Sequence, residues 1–156
     1  MSYRVRPATL DDLDVLVHQR LAMFTDMGVP IDEQAIAPAF ARWLGETMPA
    51  HGYRAWLVET GSGEVVAGGG ATIIPWPPGP EHAGSRLAFV YNVYTEPAHR
   101  RRGLGRLVME AIHEWCRSAG IAVVALNASR AGQPLYESMG YSAMSNPMMV
   151  FSVVRV

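Results

Sequence analysis

The chain has 156 residues, 49% of them hydrophobic, with 13 Lys/Arg positions (all arginine) against 14 acidic ones and a formal net charge of −1. That balance gives no general pull towards nucleic acid or an anionic membrane, and the length suits one domain with a sizeable core. A single cysteine, Cys116, argues against a disulfide framework or a thiolate metal centre, and no apolar run nears the roughly 20 residues of a membrane span, so a cytoplasmic, metal-free setting is expected.

Residues 3–6 alternate and read as a first strand. Thr9 followed by Asp12 has the form of a capping box, with Asp in the usual Glu position. Leu13, Leu16, Val17, Leu21 and Phe24 then recur at helical spacing, and Gly28 stops them. Ile36, Ala39, Phe40, Trp43, Leu44 and Met48 mark a second helix, with Pro38 in its first turn and Pro49 beyond its end. Strand-like runs at 53–59 and 65–74, joined by Gly61-Ser62-Gly63, predict an antiparallel hairpin. The Pro/Gly-rich stretch 75–84 is a loop, and 87–95 is a strand stopped by Pro97.

Leu104, Leu107, Val108, Ala111, Ile112, Trp115 and Ala119 form a 3.6-residue stripe that ends at Gly120. His113 falls on its polar face and reads as solvated surface. Residues 121–126 are continuously apolar, as in a strand covered on both faces. A short helix at 133–139 stops at Gly140, and 148–156 reads as a final strand, apolar enough to pair with a second subunit. No repeat, linker or composition break divides the chain, so residues 1–156 are read as one α/β domain. The order strand, helix, strand after residue 86 predicts a parallel pair with a right-handed crossover. The glycine-rich turn then sits at the carboxyl end of the first strand, where open α/β sheets bind ligands.

That turn, "HRRRGLGRL", concentrates positive charge where a helix N-terminus disfavours it by a few tenths of a kcal/mol per cation, roughly. Helix-start N–H groups are unpaired, glycines let an anion approach them, and arginines complete a cage around it. The bland alternative is a solvated basic turn with glycines used for chain geometry; the triple arginine, the preceding strand and the long amphipathic helix favour the anion site. The P-loop pattern is absent because no Lys follows, and the dinucleotide fingerprint fails because Val108 stands where its third glycine belongs. A nucleic-acid site is disfavoured as well, since one short basic run lacks surrounding basic and stacking residues.

Arg100-x-x-Gly103-x-Gly105 matches the signature Q/R-x-x-G-x-G/A. "YNVYTEPAHRRRGLG", "LNASRAGQPLYESMGY" and the opening "RVRPATLDDLDVL" follow in family order, and together the chain resembles the GNAT superfamily of N-acetyltransferases over most of its length. It differs at Ser129, where the family has Asn, at Gly132, where Ala is usual, and at Tyr141, where Phe is common. The resemblance implies an α+β fold with a mixed, mostly antiparallel sheet, a parallel pair around the acetyl-coenzyme A turn, and flanking helices. It implies direct attack of a small-molecule or peptide amine on acetyl-coenzyme A, with Tyr136 as general acid. The cofactor would be held by backbone N–H groups of Val93, Tyr94 and Thr95, by the turn Arg100, Arg101, Arg102, Gly103, Leu104, Gly105 and Arg106, and by Ser129. A non-catalytic acyl-coenzyme A-binding module on the same fold is the alternative.

An amine is mostly protonated near neutral pH, so a base must take its proton. Glu96, at the end of the central strand, and Glu33, at the start of the second helix, are the candidates; each has an ordinary reading, balancing the arginines or favouring a helix N-terminus. His82, in the Pro-rich loop, is a further polar candidate. Asn92 lies within an apolar strand and either lines the acceptor pocket or satisfies a bulge. Phe24, Met27, Trp76 and Met144 are candidates for an apolar acceptor wall, with Phe24 as core and Trp76 as loop anchor the plainer alternative. No acidic cluster stands out to receive a polyamine or basic peptide.

Overall fold

The computed structural model describes residues 2–80 and 82–153. Strand β1 (Tyr3–Pro7) leads into a 3-10 turn at Leu10–Asp12 and helix α1 (Leu13–Asp26). The capping box closes as its spacing promises, with the Thr9 N–H donating to Asp12 Oδ2 at 2.8 Å. α1 ends as the Val29 N–H reaches the Phe24 carbonyl at 3.0 Å, and Gly28 supplies the left-handed residue (φ 68) that this closure needs.

Helix α2 (Glu33–Thr47) opens at Glu33, as expected, with the Asp32 carboxylate capping it by accepting from the Ala35 N–H at 3.2 Å. Pro38 is therefore inside the helix rather than in its first turn, and the Gln34 carbonyl goes without the donor it would normally receive. Strands β2 (Tyr53–Thr60) and β3 (Val65–Pro75) form the expected hairpin; β4 (Arg86–Thr95), a 3-10 turn at Pro97–His99, α3 (Leu104–Ser118), β5 (Val124–Leu126) and α4 (Gln133–Ser138) follow.

The sheet runs in the order β1-β2-β3-β4-β5 and is antiparallel except for the parallel β4–β5 pair. Both of its faces are covered. On one, Leu16, Phe40 and Leu44 from α1 and α2 pack on Tyr53, Ala55 and Leu57 of β2. On the other, Val108, Met109, Ile112 and Cys116 of α3 pack on Trp56, Val58, Ala71 and Val90. Leu44, Leu57 and Ile112 are wholly buried, each contributing about 1.5–3 kcal/mol by removal from water. The layers meet closely at the middle of β3. A Cβ on Gly69 would lie 2.9 Å from Val108 Cγ1, and one on Gly70 would overlap the Tyr53 ring and hydroxyl.

Three further expectations change. β5 covers only Val124–Leu126, because Gly120 (φ 68) and the Ile121 N–H to Cys116 carbonyl bond (2.8 Å) use the preceding residues to close α3; its side chains are half-buried rather than covered on both faces. The final strand is absent over residues 148–153, where no sheet edge receives the run and Met149 and Phe151 stay 90% and 86% exposed; residues 154–156 lie outside the described residues. His113 is not solvated surface: Tyr141 folds back over α3 after Gly140, its hydroxyl lies 2.7 Å from His113 Nε2, and burial pulls the imidazole below its ordinary pKa.

Asp12 joins β1 to α1, accepting from Arg6 Nη1 and Nη2 at 2.8 Å each. Those bonds hold its carboxyl below the usual carboxylate range. A depressed carboxylate stabilises the fold above its unfolded pKa near 4, and that contribution is lost as pH falls through the folded value. Asp12→Asn is expected to cost about 1–2 kcal/mol near neutral pH, and to cost less below about pH 4, in urea unfolding at both conditions.

Candidate active site

The β4–β5 ladder pairs Ala88, Phe89 and Val90 with Val124, Ala125 and Leu126 and then stops. Beyond it the two chains part, and a cleft of about 980 Å3 opens between the end of β4, the turn into α3 and the start of α4. A bulge in β4 shapes this opening. Gly68 pairs with Tyr94 but Gly70 with Tyr91, so Asn92 and Val93 together oppose Gly69. Asn92 takes a left-handed backbone (φ 62), and its side chain is tied on both sides: Oδ1 accepts from Arg20 Nη1 at 2.6 Å and Nδ2 donates to the Tyr53 hydroxyl at 3.0 Å. Asn92 thus satisfies a bulge and lines the cleft as well.

At the cleft's far end the chain turns into α3. Arg101 (φ 60) and Gly103 (φ 79) are both left-handed, and a Cβ on Gly103 would meet open space. The first N–H to bond back is that of Leu107, to the Gly103 carbonyl at 3.1 Å. Among the described residues, the N–H groups of 101–106 donate to no backbone carbonyl. A concave row of free N–H groups at the positive end of a long helix is an anion cradle. A pyrophosphate fits this donor set.

The arginine side chains are dispersed rather than massed. Arg100 pairs with Asp26 at the end of α1, donates from Nε to the Thr95 carbonyl at 2.9 Å and lies over the Tyr94 ring. Arg102 turns towards β1, its Nη1 3.3 Å from the Tyr3 hydroxyl, and its side chain does not line the cleft. Arg106 lines the cleft and reaches the Ser138 hydroxyl of α4 at 2.6 Å. Arg101 and Arg130 line the mouth.

Tyr136 lines the cleft from α4, with its ring edge-on to Tyr141. Burial alone pushes its phenol above the ordinary value, so it keeps its proton through neutral pH. Ser129 lines the cleft too; its oxygen accepts from the Gly132 N–H at 3.1 Å, which leaves its own O–H free to donate. A Cβ at Gly132 would stand 3.1 Å from the Tyr136 ring, so glycine here lets the tyrosine settle. Val93, Tyr94, Thr95, Leu104 and Gly105 are all cleft residues.

Of the candidate bases, Glu96 stands just outside the lining: Oε1 is 2.7 Å from His18 Nε2, and Oε2 accepts from the Tyr94 hydroxyl at 3.3 Å. Glu33 is not brought to the cleft; it is exposed at the head of α2, where its charge suits the helix N-terminus. His82 and Trp76 belong to the 75–84 loop and line no part of it, and Met144 is 77% exposed elsewhere. Phe24 and Met27 do form part of the wall.

Sequence reading missed Arg20. It is half-buried, stacks on the rings of Phe24 and Phe40 (4.9 and 4.8 Å to the centroids), and burial pulls its guanidinium below the ordinary value. The available signal was its place four residues from both Leu16 and Phe24, a charge on the apolar face of α1. Beside it a side cavity of about 390 Å3 is walled by Ile36, Ala39, Phe40, Trp43, Thr72 and Tyr91.

Residues 19–141 match the family model described as acetyltransferase (GNAT) family. A GCN5-related N-acetyltransferase from Ralstonia eutropha JMP134 is 32% identical, with 96% of this chain and 99% of that one covered at a TM-score of 0.86. A predicted acetyltransferase from Clostridium acetobutylicum, solved with acetyl-CoA, shares the fold at 22% identity (96% of each chain, TM-score 0.87). So does a glucosamine-6-phosphate N-acetyltransferase from Arabidopsis thaliana, at 19% identity (97% and 99% covered, TM-score 0.75). No curated protein matches the sequence. With that match over most of the chain, and a relative 32% identical across nearly the whole of both chains, the chain belongs to the acetyltransferase (GNAT) family.

Proposed function

We propose that the protein transfers an acetyl group from acetyl-coenzyme A to the primary amine of a small molecule or peptide by direct attack. The observation that carries this reading is one cleft lined both by Arg101, Gly103, Leu104, Gly105 and Arg106, whose N–H groups donate to no backbone carbonyl, and by the half-buried Tyr136 phenol. Bound acetyl-coenzyme A would supply an activated acyl thioester. The turn at Gly103 and Gly105 holds its pyrophosphate, with Arg101 and Arg106 adding charge. Backbone N–H groups of Val93, Tyr94 and Thr95, beyond the end of the β4–β5 ladder, hold the pantetheine arm and the thioester carbonyl, and Ser129 donates beside them.

The amine nitrogen forms the new N–C bond as the C–S bond breaks, and the electron pair of that bond leaves on sulfur. Tyr136 delivers a proton at that sulfur. The surplus proton of the amine leaves towards Glu96, which reaches the cleft through the Tyr94 hydroxyl. Glu33, off the cleft, is the weaker candidate. Phe24, Met27 and Asn92 face the acceptor, whereas Met144, exposed outside the cleft, does not support the wall first drawn from sequence. The reading includes a cytoplasmic setting and a homodimer in which a second copy covers Met149 and Phe151; among the described residues no helix is long and apolar enough to cross a membrane.

Gly103→Asp forces a side chain onto a left-handed residue and puts a carboxylate in the anion cradle, while Gly105→Asp also crowds Leu135 Cδ2 (3.2 Å from a Cβ there). Each is expected to weaken coenzyme A binding by at least about 100-fold in calorimetry, and Arg106→Ala by less than about tenfold. Unchanged affinity in both glycine variants would return the turn to a solvated basic loop.

Tyr136→Phe is expected to lower kcat about 100-fold with little change in the KM for acetyl-coenzyme A. Because the acid must be protonated and burial raises its pKa, the wild type should hold its activity on the alkaline side up to at least about pH 10 as far as this group decides it. Unchanged turnover in the variant removes Tyr136 from the chemistry. Saturable coenzyme A binding with no turnover across a broad amine panel would leave the acyl-coenzyme A-binding module instead.

A further inference from the structure

Arg20 is a half-buried cation with no carboxylate partner among the described residues. Its one hydrogen bond there is from Nη1 to Asn92 Oδ1, at 2.6 Å; Nε and Nη2 are unspent. The rings of Phe24 and Phe40 hold the guanidinium plane from the side chains' apolar faces. Arg20, Tyr91 and Asn92 line both the main cleft and the 390 Å3 side cavity, so the free edge of the fork stands where the two spaces join. A charge removed from water without a counter-ion is costly, and a planar fork with free N–H groups is suited to a carboxylate.

We infer that the acceptor of this acetyltransferase is an amine that also bears a carboxylate, gripped by Arg20, and an apolar group seated against Phe40 and Trp43: a small apolar amino acid. This rests on the acetyl-transfer reading and names its substrate class. The cavity walls are Ile36, Ala39, Phe40, Trp43 and Tyr91 with only Thr72 polar among the remainder apart from Arg20 and Asn92, which suits an alkyl or aryl side chain better than a sugar. A polyamine or basic peptide would bring a second positive charge against Arg20. A phosphate dianion would leave one negative charge uncompensated beside aromatic walls, whereas a carboxylate matches the single guanidinium.

The test compares matched pairs on the wild-type protein: L-phenylalanine against 2-phenylethylamine, and L-leucine against isopentylamine. The amino acid is expected to exceed its decarboxylated partner in kcat/KM by at least about 30-fold, the low end for removing one partner of a buried charge pair. In Arg20→Gln that ratio is expected to fall towards one, with the loss in the KM for the amino acid; Arg20→Lys should restore only part of it. Equal use of the decarboxylated amines by the wild type, or an unchanged ratio in Arg20→Gln, overturns the assignment.

Binding of 3-phenylpropionate, which has no amine to acetylate, reads the same site without turnover. It is expected to bind the wild type and to lose at least about 30-fold in Arg20→Gln by calorimetry. Phenyl phosphate binding more tightly than 3-phenylpropionate would overturn the carboxylate. Binding of 3-phenylpropionate through Arg20 with no amine acetylated would fell the acetyl-transfer reading and keep the carboxylate site.

Discussion

The left-handed turn of Asn92 is the constraint on which the rest of the site depends. A non-glycine residue in that conformation carries a backbone cost of about 1 kcal/mol or more, and it persists because the Arg20 and Tyr53 contacts fix the amide from two sides. The extra residue at the bulge breaks the pairing of β4, and the β4–β5 ladder has already ended just before it. From there the strand has free backbone groups facing a space rather than a neighbour. The same amide that bends the strand therefore also sets the floor of the main cleft and the edge of the side cavity.

Positive charge is used in three different ways around this cleft. At the α3 turn the main chain itself is the cation, through its unpaired N–H groups, and the neighbouring arginines contribute unevenly. Arg100 and Arg102 serve largely as struts, to α1 through Asp26 and to β1 through Tyr3. Arg20 is the third kind, a lone guanidinium among aromatic rings. The repulsion that a run of arginines suggests on paper is relieved before any anion arrives, because their side chains diverge to different elements.

Helices and the hairpin were legible because their signals are local. The Thr9 and Asp12 box, the α3 stripe and the Gly61-Ser62-Gly63 turn each state their structure within a few residues. The turn signature and Tyr136 were legible by resemblance, and the structure sets both in one cleft. What failed depended on distant partners. An apolar run at 148–153 has strand composition but pairs with no strand of the sheet. His113 looked solvated because Tyr141, which covers it, lies 28 positions away. Pro38 is a local exception: a helix capped at Asp32 and opening at Glu33 leaves the proline beyond its first turn. Arg20 was passed over because a stripe is read by its apolar members, so a charge on that face is easily taken as noise.

Gly70 lies on β3, and the residue appears in neither cavity wall. Yet the Tyr53 ring occupies the space its side chain would need, and Tyr53 is the residue that steadies the Asn92 amide. One added methyl there must push the phenol aside, and the displacement reaches the cleft through a single hydrogen bond. Positions that govern acceptor fit in this protein are thus poorly ranked by distance from the cavity; bare backbone in a neighbouring strand ranks with the aromatic walls.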